Sequence, residues 1–160
     1  PEAATKALLD LCPHDAWAHR QLALVYADRK RHPEALAAIT AAGETEPDHP
    51  SHFAVLAHIH RRADRTDDAL EAFRQGIARH PDHELVIFEF VQVSRGLKEK
   101  KAALRFIAER LHSGPHQGDG LLAYFDQAAR LIDDPEEAET FLAALERFNH
   151  ERPDLWRPWS

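Results

Sequence analysis

Twelve histidines, one cysteine and several adjacent acids are the side chains of this sequence whose chemistry reaches beyond packing. His49 and His52, like His80 and His83, lie three apart around the proline turns PDHPSH and RHPDH. His58 and His60 are two apart and point to different faces of a helix, while His112 and His116 bracket Ser113, Gly114 and Pro115. A metal site needs three or four convergent ligands with supporting partners, and each of these groups supplies two. They are read as turn residues, and no metal is expected. Cys12 stands near His14, but a thiolate nucleophile needs an oriented base and an oxyanion site. Cys12 ends an apolar helix stripe just before Pro13, which favours a packing role. No glycine-rich phosphate loop, G-x-S-x-G or H-E-x-x-H occurs. Asp67–Asp68, Asp133–Asp134 and Glu136–Glu137 fall at helix starts, where negative charge complements the dipole. The expectation is a protein with no catalytic residues and no cofactor.

Composition narrows the class further. A formal net charge of -7 argues against bulk nucleic-acid binding, which is marked by a basic excess. A single cysteine cannot close an internal disulfide, and no apolar run approaches the roughly 20 residues that span a bilayer. These features lead to the expectation of a helical module of the cytoplasm. Methionine is absent even at position 1, so the chain reads as a piece of a longer protein.

The elements that must position these residues are set by a period. Pro13, Pro47, Pro81 and Pro115 recur every 34 residues, and Ala35, Ala69 and Ala103 keep the same interval. Around them EALAAITAAGETEP, DALEAFRQGIARHP and AALRFIAERLHSGP repeat one pattern of small residue, amphipathic helix and proline. A fixed period between about 20 and 50 residues marks stacked repeats. Each period divides into two helices. The first pair covers residues 16–28 and 33–45, with Ala35, Leu36, Ile39 and Ala42 on one stripe. The next opens at Pro50, suited to a first helical turn; its second helix follows Thr66 as N-cap and carries Ala69, Leu70, Phe73 and Ile77.

LVIFEFVQV, residues 85–93, has the β-branched and aromatic composition of a strand. The phase places it where both earlier repeats have a first helix, and the phase decides for helix. Its partner carries Leu104, Ile107, Ala108 and Leu111. A loosened loop, HSGPHQGDG, precedes a fourth pair at residues 121–132 and 135–149, capped at Asp134 and striped by Ala138, Phe141, Leu142, Leu145 and Phe148. The resulting division of residues 1–160 is a half repeat at 2–15, repeats at 16–49 and 50–83, degenerate repeats at 84–117 and 118–152, and the start of a further helix at 153–160.

The period, the helix-turn-helix unit and the small–aromatic–small–proline spacing resemble the tetratricopeptide repeat. Leu22, Ala23, Tyr26, Ala35, Ile39, Ala42 and Pro47 carry the resemblance in the first repeat. Phe53, Leu56, Ala57, Ala69, Phe73, Gly76 and Pro81 carry it in the second. The third keeps Ile87, Phe90, Ala103, Ile107 and Pro115, with Arg110 at a usually small site. Trp17 lies two residues before the family's tryptophan, and Lys30, Asp64 and Lys98 replace its turn glycine. The resemblance implies an all-α fold, an α-α superhelix of stacked antiparallel helix pairs. It also implies a protein-binding scaffold with no enzymatic activity.

In that family the groove is lined by the first helix of each repeat. The matching face carries Trp17, Arg20, Gln21, Leu24 and Asp28, then His58, Arg61 and Arg62, then Leu85, Phe88, Glu89, Gln92 and Arg95. Arg61 and Arg95 are 34 apart, and a planar guanidinium can bind a carboxylate through two parallel hydrogen bonds. With Leu85 and Phe88 beside them, the implied partner is a peptide or protein with acidic groups and apolar anchors. Asp28, Asp64 and Glu89 are the acids placed to neutralise the same arginines. The lysine–asparagine clamp of chaperone-binding relatives is not matched: its positions hold Arg20, Leu24, Val55, Leu85 and Glu89. The alternative function is a structural or regulatory segment that packs on its own chain or self-associates, through residues 2–12 and the Trp156–Trp159 segment.

Overall fold

The computed structural model describes residues 2–113, 119–132, 134 and 139. Among them the chain is all-helical: α1 (Glu2–Leu11), α2 (Ala16–Asp28), α3 (His32–Thr45), α4 (Pro50–Arg62), α5 (Thr66–Arg79), α6 (Glu84–Val93), α7 (Gly96–Ser113) and α8 (Asp119–Ala129). Apart from residue 139, the helix expected at residues 135–149 lies outside the described residues, as does the Trp156–Trp159 segment. The chain divides into two compact units, Pro1–His80 and Pro81–Ser160.

In the first unit the 34-residue period is visible bond by bond. Asp15 caps α2 by accepting from the Ala18 N–H at 2.6 Å, and 34 residues on His49 caps α4, its Nδ1 accepting from the Ser51 N–H at 3.2 Å. Each helix then ends in the same turn. Lys30 (φ 60°) and Asp64 (φ 58°) adopt the left-handed conformation, and the following Arg31 and Arg65 send their N–H groups back to Tyr26 O and His60 O. A non-glycine residue there is strained by about 1–2 kcal/mol, a cost the surrounding packing must cover. The Thr66 cap expected from sequence is a correction: Arg65 is the N-cap of α5, without a side-chain hydrogen bond, and Thr66 is already helical.

Packing follows the same phase. Ala23 and Ala57 on the first helices, and Ala35 and Ala69 on the second, are fully buried, which lets α2 and α3, and likewise α4 and α5, approach closely. Leu22, Tyr26, Ile39, Val55 and Ile59 fill the remaining volume in one core, with Leu9 of α1 against it. Gly43 permits a second close approach: a Cβ there would meet the His52 ring at 2.8 Å.

The second unit keeps the phase but changes the turn. LVIFEFVQV is helical, and Val86, Ile87, Phe90 and Val91 are buried. His83 is its N-cap, accepting from the Val86 N–H at 3.4 Å, so Asp15, His49 and His83 hold one position at 34-residue intervals. α6 stops after 10 residues, whereas α4 has 13. The left-handed residue is Gly96 (φ 69°), and α7 begins there. Lys98, expected in the turn, is therefore inside α7. Ala103, Leu104, Ile107 and Leu111 nevertheless bury the expected stripe. The antiparallel pair is also looser than expected, since α6 packs more extensively on α8 than on α7. Asp82 Oδ1 accepts from the Gly120 N–H at 2.8 Å, capping the start of α8 from another segment. Gly120 is required for that approach, because a Cβ would lie 2.5 Å from the Asp82 backbone.

Candidate binding surface

Within the first unit α2 and α4 pack against one another, bringing the sequence-derived surface of the first two repeats together. Trp17 is 57% exposed and Gln21 and Leu24 are half-buried on α2. His58 is half-buried and Arg61 and Arg62 exposed near the end of α4, where the two guanidiniums in the last turn complement the helix dipole. Asp28 joins the two helices. Its Oδ1 lies 3.2 Å from His58 Nε2, accepts from Arg62 Nε at 2.9 Å and pairs with Arg62 Nη2 at 2.7 Å. Arg61 Nη2 lies 3.3 Å from the other ring nitrogen of His58. The hydrogen bond from His58, then that from Arg62, holds the Asp28 carboxyl below the ordinary carboxylate value. The cluster is solvated, so its contribution to stability is small.

Arg20 differs from its expected place. It is 5% exposed, and Nη1 donates to Glu46 Oε2 at 2.6 Å, tying α2 to the residue that ends α3. A guanidinium assigned by register to an open face is instead drawn inward, because a partly buried charge is stable only beside a partner. Glu46 is the partner that supplies that charge.

The second unit carries the remaining residues. Leu85 (53% exposed) and Phe88 (42%) stand on α6, with Glu89 half-buried between exposed Phe88 and buried Phe90. Gln92 donates from Nε2 to Oε1 of the buried Gln127 at 3.1 Å, so it serves the α6–α8 interface. The backbone N–H of Arg95 donates to Glu99 Oε2 at 2.8 Å, closing the first turn of α7. Arg61 belongs to the first unit and Arg95 to the second.

Two exposed apolar side chains lie outside the surfaces expected from sequence, Leu97 and Leu122, at 50% and 57%; Leu11, inside the 2–12 segment expected to self-associate, is 82% exposed. Leu122 lies off the face of α8 that carries Gly120, Gln127 and Ala128, a helical-phase signal that was available. Leu11 adjoins Cys12, which is exposed and free, so the packing role expected for that thiol is corrected: α1 ends before it and its side chain faces solvent.

Several histidines have observed roles in the turns. His49 and His83 are N-caps, and His80 Nε2 bonds Asp48 O, linking the end of α5 to the entry of α4. Among the described residues no group of three or more His, Cys, Asp or Glu is arranged to hold a metal, and no helix is long and apolar enough to cross a membrane. No protein-family model matches the chain, and no curated protein matches it. The geometry thus offers two mixed surfaces: one of aromatic, imidazole and guanidinium groups on α2 and α4, and an apolar one on α6.

Proposed function

We propose that the chain is a non-catalytic, tetratricopeptide-like scaffold of the cytoplasm, an α-α superhelix whose first helices present a groove to a peptide or protein. The observation that carries this reading is the side-by-side packing of α2 and α4, bridged by Asp28, His58 and Arg62. It is supported by turns that repeat at Lys30 and Asp64, as a helix-turn-helix array requires. The ligand is an extended or helical peptide with one or two bulky apolar anchors and acidic groups. In the first unit the proposed contact residues are Trp17, Leu24 and Arg61; in the second unit, taken by itself, Leu85, Phe88 and Arg95 make a separate candidate surface. The acidic preference is assigned to the guanidiniums of Arg61 on the first surface and Arg95 on the second, whose planar forks suit carboxylates.

Panning a random peptide library against the chain tests this, beside the Arg61→Glu/Arg95→Glu and Leu85→Ala/Phe88→Ala variants. An acidic consensus with apolar anchors, lost by both variants, is expected. A chain that enriches no sequence fails the proposal. A second reading, self-association or packing on another part of the same protein, is favoured by Leu11 and Trp17, both exposed around the α1–α2 turn. Sedimentation over a wide concentration range distinguishes it, since a mass that stays monomeric removes the self-associating form.

A further inference from the structure

His52 has no part in the proposed groove, yet its surroundings are unusual for an ionisable ring. It is the third residue of α4, half-buried in the seam between α3 and α4. One face rests on Gly43 of α3, so closely that a methyl group there would lie 2.8 Å from Cε1 and 3.4 Å from Nδ1. Phe53 meets the ring edge-on, with centroids 5.4 Å apart. Nδ1 is buried and has no hydrogen-bond partner among the described residues.

The charges that bear on this ring are Arg20 from α2, Arg79 from α5 and His49 at the cap of α4. Among the described residues none of them is an acid. Both arginines have a carboxylate of their own: Glu46, ending α3, accepts from Arg20 at 2.6 Å, and Asp48 lies 3.5 Å from Arg79. A cation in the first turn also opposes the positive end of the α4 dipole. Burial, then Arg20, Arg79 and His49, accordingly lower the His52 pKa from its ordinary value. The neutral ring fits this seam, and the charged ring is opposed by desolvation, by two guanidiniums and by the helix itself.

We propose that His52 is an acid-sensitive wedge, whose protonation expels the ring from Gly43 and releases the first turn of α4 from α3. His49, which caps the same helix, holds its turn through Nδ1, which accepts from the Ser51 N–H at 3.2 Å. Mild acid therefore loosens the joint between the first two helix pairs while leaving the alanine-packed α2–α3 and α4–α5 interfaces intact. The sign follows from linkage. The folded chain binds the His52 proton less readily than the unfolded chain, so this stabilisation is complete above the unfolded value, about 6.5, and is lost as pH falls.

Histidine-selective NMR titration of the whole chain, with urea unfolding between about pH 7.5 and about pH 5, tests the wedge. His52 is expected to titrate below the unfolded value, with amide protection at residues 52–56 lost before the rest of the first unit. The urea midpoint of His52→Phe, which keeps a ring but cannot be charged, is expected to fall less with acid than that of the natural chain. Gly43→Ala should push the ring into solvent and raise its titration point. An imidazole titrating at or above about 6.5 in the natural chain overturns the proposal, whatever the variants do. Equal acid losses in His52→Phe and the natural chain overturn it as well.

Discussion

The turn between α4 and α5 copies the turn between α2 and α3, and the turn between α6 and α7 does not. In the first unit the left-handed residues are Lys30 and Asp64, 34 apart, and the flanking dihedrals agree within a few degrees. In the second unit the same phase predicts Lys98, and the chain turns two residues earlier, at Gly96. α6 is three residues shorter than α4 and α7 four longer than α5, so Ala103 and Ile107 still occupy the positions of Ala69 and Phe73. The comparison separates two constraints usually read as one. Core phase is held by buried small and aliphatic residues. Where the chain turns depends on which residue can accept a positive φ. Gly96 accepts it without strain, and a glycine offered early moves the turn.

The largest test of this separation strikes the shared core. Phe73→Ala and Ile107→Ala remove buried side chains at equivalent positions, and each is expected to cost about 2–5 kcal/mol in chemical denaturation. A cost at Ile107 no larger than that of a surface residue would break the equivalence of the two stripes. Gly120→Ala comes next. Its methyl collides with the Asp82 backbone, so about 1–3 kcal/mol of overpacking is expected, seen as faster amide exchange across α6 and α8 with α2–α5 unchanged. Uniform loss of protection through both units would show that they do not unfold separately.

The turns give smaller effects of opposite sign. Lys30→Gly relieves a strained φ and should stabilise by about 0.5–1 kcal/mol, while Gly96→Ala creates the same strain and should destabilise by about 1 kcal/mol. Matching signs would refute the account of why the third turn moved. Smallest is Asp28→Asn. Its carboxyl is held below the ordinary value, so the ion-pair contribution is present above the unfolded carboxylate range and is lost as pH falls through the folded value. Exposure limits it to about 0–1 kcal/mol at neutral pH, and the difference from the natural chain should vanish in acid.

The helices were legible because the period is carried by residues with one packing solution each. The alanines at 35, 69 and 103 are buried, and their spacing overrode the strand propensity of LVIFEFVQV correctly. The turn at Gly96 was not legible from phase, because phase assumes that repeats turn alike. The surface was harder. Register placed Arg20 on the open face, and nothing in the spacing reveals that Glu46, 26 residues away, draws it inward. Asp28 was read as an acid able to neutralise nearby arginines, and it engages His58 as well as Arg62. Cys12 was misplaced for a simpler reason: apolar periodicity continued past the point where α1 ends.

Positions 15, 49 and 83 carry an aspartate and two histidines, and all three do one job by offering a lone pair to an N–H of the helix that follows. Scored by residue identity, Asp against His is a mismatch of charge, size and shape. Scored by what the backbone requires there, the three are the same letter. The repeat at these helix entrances is therefore carried by an acceptor lone pair and not by a residue type, so a carboxylate and an imidazole fill the same place in it.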